Sequence, residues 1–330
     1  MRMILRVVMT FAVLVSVSLV EGAESYVGTW TLTLPNGGAG WLGVEEEDGR
    51  LSASMLWGGG SVFPLESAVV EDGKLVLKRV RKVPRRRPEQ RVTEVAETII
   101  AERSGDALKL TLVREPNVGK SSRQEFTGKW CPPVPPKPDL SKAKFGKPIV
   151  LFDGKSLDGW KLTNPGQKNG WSVQDGELVN DPVQPEKGHI SYGNLRTEAE
   201  FEDFNLKLEV NVGEGGNSGI YLRGIYEIQV SDSYGRELDS HNMGGVYSRI
   251  TPSVSAEKPA GQWQSYDITL LDRHVTVVLN GKKIIDNEPV HGCTGGALWA
   301  DPFRPGPIYL QGDHTGIRYR NIVLTPIVGE

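Results

Sequence analysis

A run of prolines divides the sequence of 330 residues into two parts. Five of the eight residues from Cys131 to Pro138 are proline. Proline fixes φ and lacks a backbone N–H, so such a run is extended, stiff and excluded from the interior of a sheet. We therefore expect a linker over 131–147, a small unit over 24–130 and a second unit over 148–327.

The composition is turn-rich and nearly neutral. The chain has 39 Gly and 21 Pro, and 38% of its residues are apolar, which suffices for ordinary cores. It carries 38 basic and 41 acidic residues. A dedicated nucleic-acid binder would normally be strongly basic, so we expect no nucleic-acid partner.

The N-terminus resembles an export signal. Arg2 and Arg6 precede an apolar run from Val7 to Val20, and Glu21-Gly-Ala23 follows. This pattern is typical of a signal peptide over 1–22, and the run is too short for a comfortable membrane span. We expect a secreted or periplasmic chain with no transmembrane segment after cleavage. An uncleaved anchor is the alternative.

Both units are predicted to be all-β. Before the linker, alternating segments such as Trp30-Thr-Leu-Thr-Leu34 are separated by turn signals such as Asp72-Gly73, which predicts a small antiparallel barrel or sandwich. Gly28-Thr-Trp30 is similar to the opening of lipocalin-like barrels. After the linker, about ten or more strands over 180 residues predict a two-sheet sandwich, a jelly roll. The best hairpin signal there is Asn280-Gly281.

Residues 78–91 carry eight basic side chains in fourteen positions. A weak contact with an anionic surface is one interpretation, and a solvated loop between strands is the other. Cys131 and Cys293 are the two cysteines; they could pair in an oxidising compartment or remain free thiols.

The segment from Gly219 to Val230 carries most of the polar chemistry. Strand parity places its even-numbered apolar residues, with Tyr226, in the core. The opposite face then combines an aromatic ring, a guanidinium, a carboxylate and an amide, suited to a sugar: Tyr221, Arg223, Glu227 and Gln229. An exposed face of cross-strand polar pairs is the simpler alternative.

Five segments resemble the bacterial 3-keto-disaccharide hydrolase domain, also called the 3-keto-glucoside 1,2-lyase/3-keto-2-hydroxy-glucal hydratase domain. They occur in order across 148–327, at 151–160, 217–235, 244–252, 261–287 and 306–327. The resemblance implies a concanavalin-like jelly-roll sandwich, secretion, and action on a glycoside or oligosaccharide already oxidised at C3.

A keto group at C3 acidifies the proton on C2, so a base can remove it while an acid assists departure of the C1 substituent. We expect Glu227 and His314 to be this base and acid, in either order, with Arg223 stabilising the enolate. The remaining candidate substrate-binding residues are Tyr221, Gln229, Asp232, His241, Tyr247 and Gln311.

Two alternatives stay open at this point. No cofactor is required by the pattern, but a divalent metal ion held by Glu227, Asp232, His241 or His314 is compatible with these residue types. The chain could also be a non-catalytic carbohydrate-binding sandwich of the cell envelope, because sandwich folds serve many functions.

Overall fold

The computed structural model describes residue 22 and residues 24–83 and 93–329. All but the last residue of the predicted signal peptide, and residues 84–91 of the basic segment, lie outside the described residues. Within the described ranges, the model has no helix long and apolar enough to cross a membrane.

The N-terminal unit is one curled antiparallel sheet preceded by a 3₁₀ turn at Glu24–Tyr26. Its strands are Gly28–Thr33 (β1), Ala39–Glu47 (β2), Arg50–Trp57 (β3), Phe63–Pro64 (β4), Ser67–Glu71 (β5), Lys74–Val83 (β6), Thr93–Ser104 (β7), Ala107–Pro116 (β8) and Ser122–Cys131 (β9). They follow the order β4-β3-β2-β1-β9-β8-β7-β6-β5.

The two edges of this sheet approach each other. Leu65 N–H donates to the Ala53 carbonyl in β3, and Glu66 N–H donates to the Lys78 carbonyl in β6. Apolar side chains fill the interior, among them Trp30, which is fully buried. The unit is therefore the predicted small antiparallel barrel, because curling removes most of the exposed sheet edge.

The linker lies against the second unit. It contains a 3₁₀ turn at Leu140–Lys142. The Arg273 guanidinium donates to the carbonyls of Pro132 and Pro133, and Asn287 Nδ2 donates to the Pro138 carbonyl at 2.8 Å. Carbonyls that proline-rich backbone cannot pair in a sheet are thus satisfied by side chains.

The C-terminal unit is a two-sheet sandwich. Its strands are Lys144–Phe145 (β10), Ile149–Phe152 (β11), Trp160–Leu162 (β12), Trp171–Gln174 (β13), Glu177–Asn180 (β14), Leu195–Thr197 (β15), Phe204–Val212 (β16), Asn217–Leu222 (β17), Tyr226–Ser231 (β18), Trp263–Leu271 (β19), His274–Leu279 (β20), Lys282–Pro289 (β21), Tyr309–Leu310 (β22) and Ile317–Gly329 (β23).

The larger sheet has the order β13-β14-β23-β16-β19-β20-β21, with β10 and β11 also paired to β23, and the smaller has the order β12-β15-β22-β17-β18. Apolar residues alternate along β16 and are buried between the sheets. The Asn280-Gly281 turn joins β20 to β21 with φ of 51° and 81°. The predicted jelly-roll sandwich is confirmed.

The structure corrects the prediction of a loop over the basic segment and answers whether the two cysteines pair. Residues Lys78–Val83 of the basic segment form the end of strand β6 and do not belong to a loop. They pair with β7, whose Glu97 faces Arg79, Arg81 and Arg114. Both cysteines are buried free thiols.

Glu97 is 3% exposed and accepts from Arg79 and from Arg114, the latter at 2.9 Å. Burial alone would raise the pKa of its carboxyl, but the hydrogen bonds from Arg114 and Arg79 lower it overall. Because the folded pKa is depressed, the ionised carboxylate stabilises the barrel above the unfolded pKa, and this contribution is lost as pH falls through the folded pKa.

We predict that Glu97→Gln lowers the free energy of unfolding by about 1.5–3 kcal/mol at pH 7, the contribution of hydrogen bonds to a charged group. Urea unfolding should show the difference shrinking as the pH falls through the lowered pKa of Glu97, where the wild-type carboxyl takes up a proton. Glu102→Gln is the control, since its ion pair with Lys74 is exposed and should contribute much less. Equal losses for the two variants would contradict the prediction.

Candidate active site

The β17–β18 hairpin presents different faces to the core and to the site. Ile220 pairs with Ile228 and both are fully buried in the core. On the other face Tyr221 pairs with Glu227, and Gly219 with Gln229. The parity expected from the sequence therefore holds along both strands.

Neighbouring strands extend this polar face into a row. Tyr309 of β22 pairs with Tyr221, and their rings stack at 3.9 Å. On the other side, residues 244–247 hydrogen-bond to β18, and Tyr247 N–H donates to the Glu227 carbonyl at 3.0 Å. Tyr309, Tyr221, Glu227 and Tyr247 thus lie side by side across strands β22, β17 and β18 and the bridged segment 244–247.

Glycine at 219 makes room for the carboxylate. The Glu227 side chain crosses over Gly219, and a Cβ on residue 219 would overlap Glu227 Oε1. Glu227 is 4% exposed as a result. The lack of a side chain at Gly219 therefore allows the carboxyl of Glu227 to lie over it.

Burial raises the pKa of Glu227 to about 8, because desolvation outweighs the hydrogen bond with Tyr221 and the attraction of His314. Tyr221 Oη lies 2.8 Å from Glu227 Oε2 and 2.7 Å from the Gly295 carbonyl oxygen. A phenol has one hydrogen, so it cannot donate to both at once. A protonated Glu227 satisfies both contacts by donating to Tyr221 Oη while Tyr221 donates to Gly295.

His314 is exposed and lies in the loop that follows β22. Its Nδ1 lies 2.7 Å from Asp313 Oδ1. The hydrogen bond that His314 donates to Asp313 raises the pKa of His314, and the same contact lowers the pKa of Asp313 against the effect of burial. Both side chains act electrostatically on Glu227. Asp313 is not among the site residues predicted from the sequence. Its position directly before the candidate histidine could have indicated it.

Two amides flank Gly219. The backbone N–H of Gln311 donates to the Gly219 carbonyl at 3.0 Å, and Gln229 lies opposite Gly219 on β18. In the described part of the chain, the Oε1 atoms of Gln229 and Gln311 are buried without a hydrogen-bond partner. Buried polar atoms normally have partners, so these two oxygens retain unused hydrogen-bonding capacity beside Gly219.

Three predicted residues have other roles. Strand β17 ends at Leu222, so Arg223 lies in the turn, with φ of 54°, and donates to the carbonyls of Pro302 and Arg304 at 2.7 Å. Asp232 Oδ2 accepts from Gly215 N–H at 3.0 Å. The Tyr221 ring is 1% exposed and covered by Tyr309, so it orients Glu227 and cannot stack on a sugar.

His241 lies beside Tyr247, with ring centroids 4.9 Å apart. Its Nε2 is 2.9 Å from Ser61 Oγ of the barrel. The four candidate metal ligands are therefore not gathered, because Asp232 holds a turn and His241 contacts Ser61. Nowhere in the described ranges do three or more His, Cys, Asp or Glu residues form a group able to hold a metal ion.

Comparison with known proteins adds three findings. The family profile described as the 3-keto-alpha-glucoside-1,2-lyase-like domain matches residues 147–325. A protein of Bacteroides thetaiotaomicron named 3-keto-disaccharide hydrolase is 25% identical over 167 residues, which are 42% of this chain and 57% of the relative. The chain thus spans little more than half of that relative.

Among solved structures, two candidate glycosyl hydrolases of Parabacteroides distasonis are similar to this chain. One is 22% identical with a TM-score of 0.43, covering 55% of this chain and 94% of its own. The other is 26% identical with a TM-score of 0.42, covering 55% and 100%.

The raised pKa of Glu227 predicts how the free energy of unfolding depends on pH, and this can be measured without substrate. Between the unfolded pKa and about pH 8, folded Glu227 keeps a proton that the unfolded chain releases, so stability falls as pH rises. Glu227→Gln should remove this dependence and be more stable than wild type at pH 8, by up to about 5 kcal/mol. Urea unfolding from pH 5 to 8 measures it, with exposed Glu214→Gln as control. Parallel curves for wild type and Glu227→Gln would contradict the raised pKa.

Proposed function

Because the chain belongs to the family of 3-keto-alpha-glucoside-1,2-lyase-like domains, we propose that its sandwich cleaves glycosides whose sugar carries a keto group at C3. One observation carries the proposal: a buried carboxyl at Glu227, whose pKa burial raises to about 8, interacts electrostatically with His314, a histidine held by the carboxylate of Asp313. Paired groups with divergent proton affinities suit acid–base chemistry. A 3-keto-disaccharide is the substrate favoured by the named relative.

His314 is the base in this proposal. Asp313 Oδ1 accepts from Nδ1–H, which leaves the lone pair of Nε2 free to take a proton. Nε2 removes the proton from C2 of the sugar, and the electron pair moves into the C3 carbonyl to give an enolate. Gln229 and Gln311, each with a polar atom lacking a partner, hold the sugar hydroxyls. Arg223 has no part in this step, since its guanidinium binds two carbonyls.

Glu227 is the acid. When the enolate re-forms the C3 carbonyl, the C1–C2 double bond forms and the C1–O bond breaks. Glu227 gives its proton to the departing oxygen, which leaves as an alcohol. The products are the free aglycone and a 3-keto-2-hydroxy-glucal.

Hydration reverses the proton transfers. The Glu227 carboxylate takes a proton from water as the water oxygen adds to C1, and His314 returns its proton to C2. Both residues regain their starting states, and the net reaction is hydrolysis of the glycoside.

We also propose that residues 1–22 direct export of the chain, so that the substrate is met outside the cytoplasm. Cell fractionation of the full-length chain and a variant lacking 1–22 tests this, and equal cytoplasmic retention of both would contradict it.

The first activity prediction concerns the two proton-transfer residues. Glu227→Gln and His314→Ala should each lower kcat for a chromogenic 3-keto-glucoside by at least about 100-fold, the usual contribution of a positioned acid or base. Release of the aglycone measures the rate, and Glu214→Gln and His291→Ala serve as matched controls. Full activity in both variants, or no turnover with any 3-keto substrate, would contradict the assignment. Binding of unoxidised oligosaccharide without turnover would favour a carbohydrate-binding role.

The pH profile separates acid from base. Glu227 must carry its proton to act as the acid, so kcat/KM should fall on the alkaline side with an apparent pKa near 8. The acid limb should reflect His314, whose pKa is raised above its usual 6.5. A rise in kcat/KM through pH 8 would instead make Glu227 the base and reverse the two roles.

A further inference from the structure

The barrel reaches the candidate active site through one short loop. Residues 58–62, between β3 and β4, are Gly-Gly-Gly-Ser-Val and are called the barrel loop below. Ser61 Oγ lies 2.9 Å from His241 Nε2 and 3.4 Å from Tyr247 Oη, and Val62 N–H donates to Ser248 Oγ at 2.8 Å. Two consecutive barrel residues thus contact three residues of the sandwich.

These contacts fall on the open side of the polar row. Tyr247 is the neighbour of Glu227 on the segment that extends the smaller sheet beyond β18. No strand of the smaller sheet pairs beyond that segment in the described part of the chain. The barrel loop lies against this segment through its contacts with Tyr247 and Ser248.

A second contact connects the barrel loop with Glu227. Gly295 and Gly60 approach so closely that a Cβ on Gly295 would overlap the Gly60 carbonyl. The Gly295 carbonyl accepts from Tyr221 Oη, and Tyr221 Oη contacts Glu227. The position of Gly60 therefore limits where Gly295, and through it Tyr221, can lie.

The barrel is firmly held in this position. The Trp41 indole N–H donates to the His291 carbonyl at 3.0 Å, and the Arg249 guanidinium lies 4.2 Å from the Trp41 ring. Arg249 also donates to the Cys293 carbonyl at 2.6 Å. Ala39, Trp41 and Leu56 of the barrel belong to the sandwich core. A shared core fixes the loop more rigidly than surface contacts alone.

Counting hydrogens gives Ser61 a defined role. When Ser61 Oγ donates to Tyr247 Oη, His241 Nε2–H donates to Ser61 Oγ. In that arrangement the hydrogen of Tyr247 Oη has no acceptor among the described residues and is free to be donated to a ligand. The serine of the barrel thereby orders two side chains of the sandwich.

We propose that the barrel loop is part of the catalytic unit, with Ser61 as a positioning residue that makes the Tyr247 hydroxyl a donor to the oxygen atoms of the 3-keto-glycoside. This rests on the proposed function. It makes the barrel part of the active site. The alternative is that the barrel is a separate module, joined to the sandwich only by the linker.

The test compares Ser61→Ala with Ser61→Thr and with Ser52→Ala, an exposed serine on β3, in the full chain. Ser61→Ala should lower kcat/KM for a 3-keto-glucoside about fivefold to tenfold, the value of one hydrogen bond, with Tm unchanged. Ser61→Thr keeps the hydroxyl and should restore most of the rate. Ser52→Ala should match wild type. Equal kcat/KM in Ser61→Ala and wild type would overturn the proposal.

A readout without substrate separates this proposal from the proposed function. Nitrogen-15 NMR of histidine side chains should show the His241 Nε2 signal shifted in Ser61→Ala, and the His189 signals unchanged. No shift at His241 would overturn the positioning role even if the chain is active. A shift in a chain that turns over no 3-keto substrate would leave the loop contact standing and refute the proposed reaction.

Discussion

The register between β17 and β18 governs the chemistry of the second unit. It sets Gly219 beside Gln229 and Tyr221 beside Glu227, so the one position without a side chain lies directly under the carboxylate. Closing the carboxylate off from water makes ionisation costly, and the raised pKa of Glu227 follows from that cost. The hydrogen-bond partners of Tyr221 and the proposed role of Glu227 as the acid both depend on this local packing.

Packing also explains why the two units lie against each other. Trp41 would leave a large apolar surface exposed on an isolated barrel, but it is 8% exposed here because it packs on the sandwich beside Arg249. Gly292 has no Cβ, and a Cβ there would overlap the Trp41 ring. Apolar burial brings the units together, while the polar contacts of Ser61 and Val62 fix their orientation.

Local patterns allowed much of this to be predicted. Alternation along β16 and the Asn280-Gly281 turn identified an all-β sandwich, because both signals depend on residues close in sequence. Arg223 was wrongly placed on the polar face, since parity continues only while the strand does and β17 ends at Leu222. Contacts between Ser61 and His241, separated by 180 positions, leave no periodic signal. Such long-range contacts can therefore be identified only from the structure.

The last described strand, β23, has a consequence for how the molecule is made. It lies inside the larger sheet and pairs with β10, β11, β14 and β16. Until residues 317–329 leave the ribosome, β14 and β16 have unsatisfied edges, whereas the barrel strands are complete once Cys131 has been synthesised. The barrel can therefore fold first. Its Trp41 then offers a docking surface to the sandwich, whose open strand edges are prone to mispairing during synthesis.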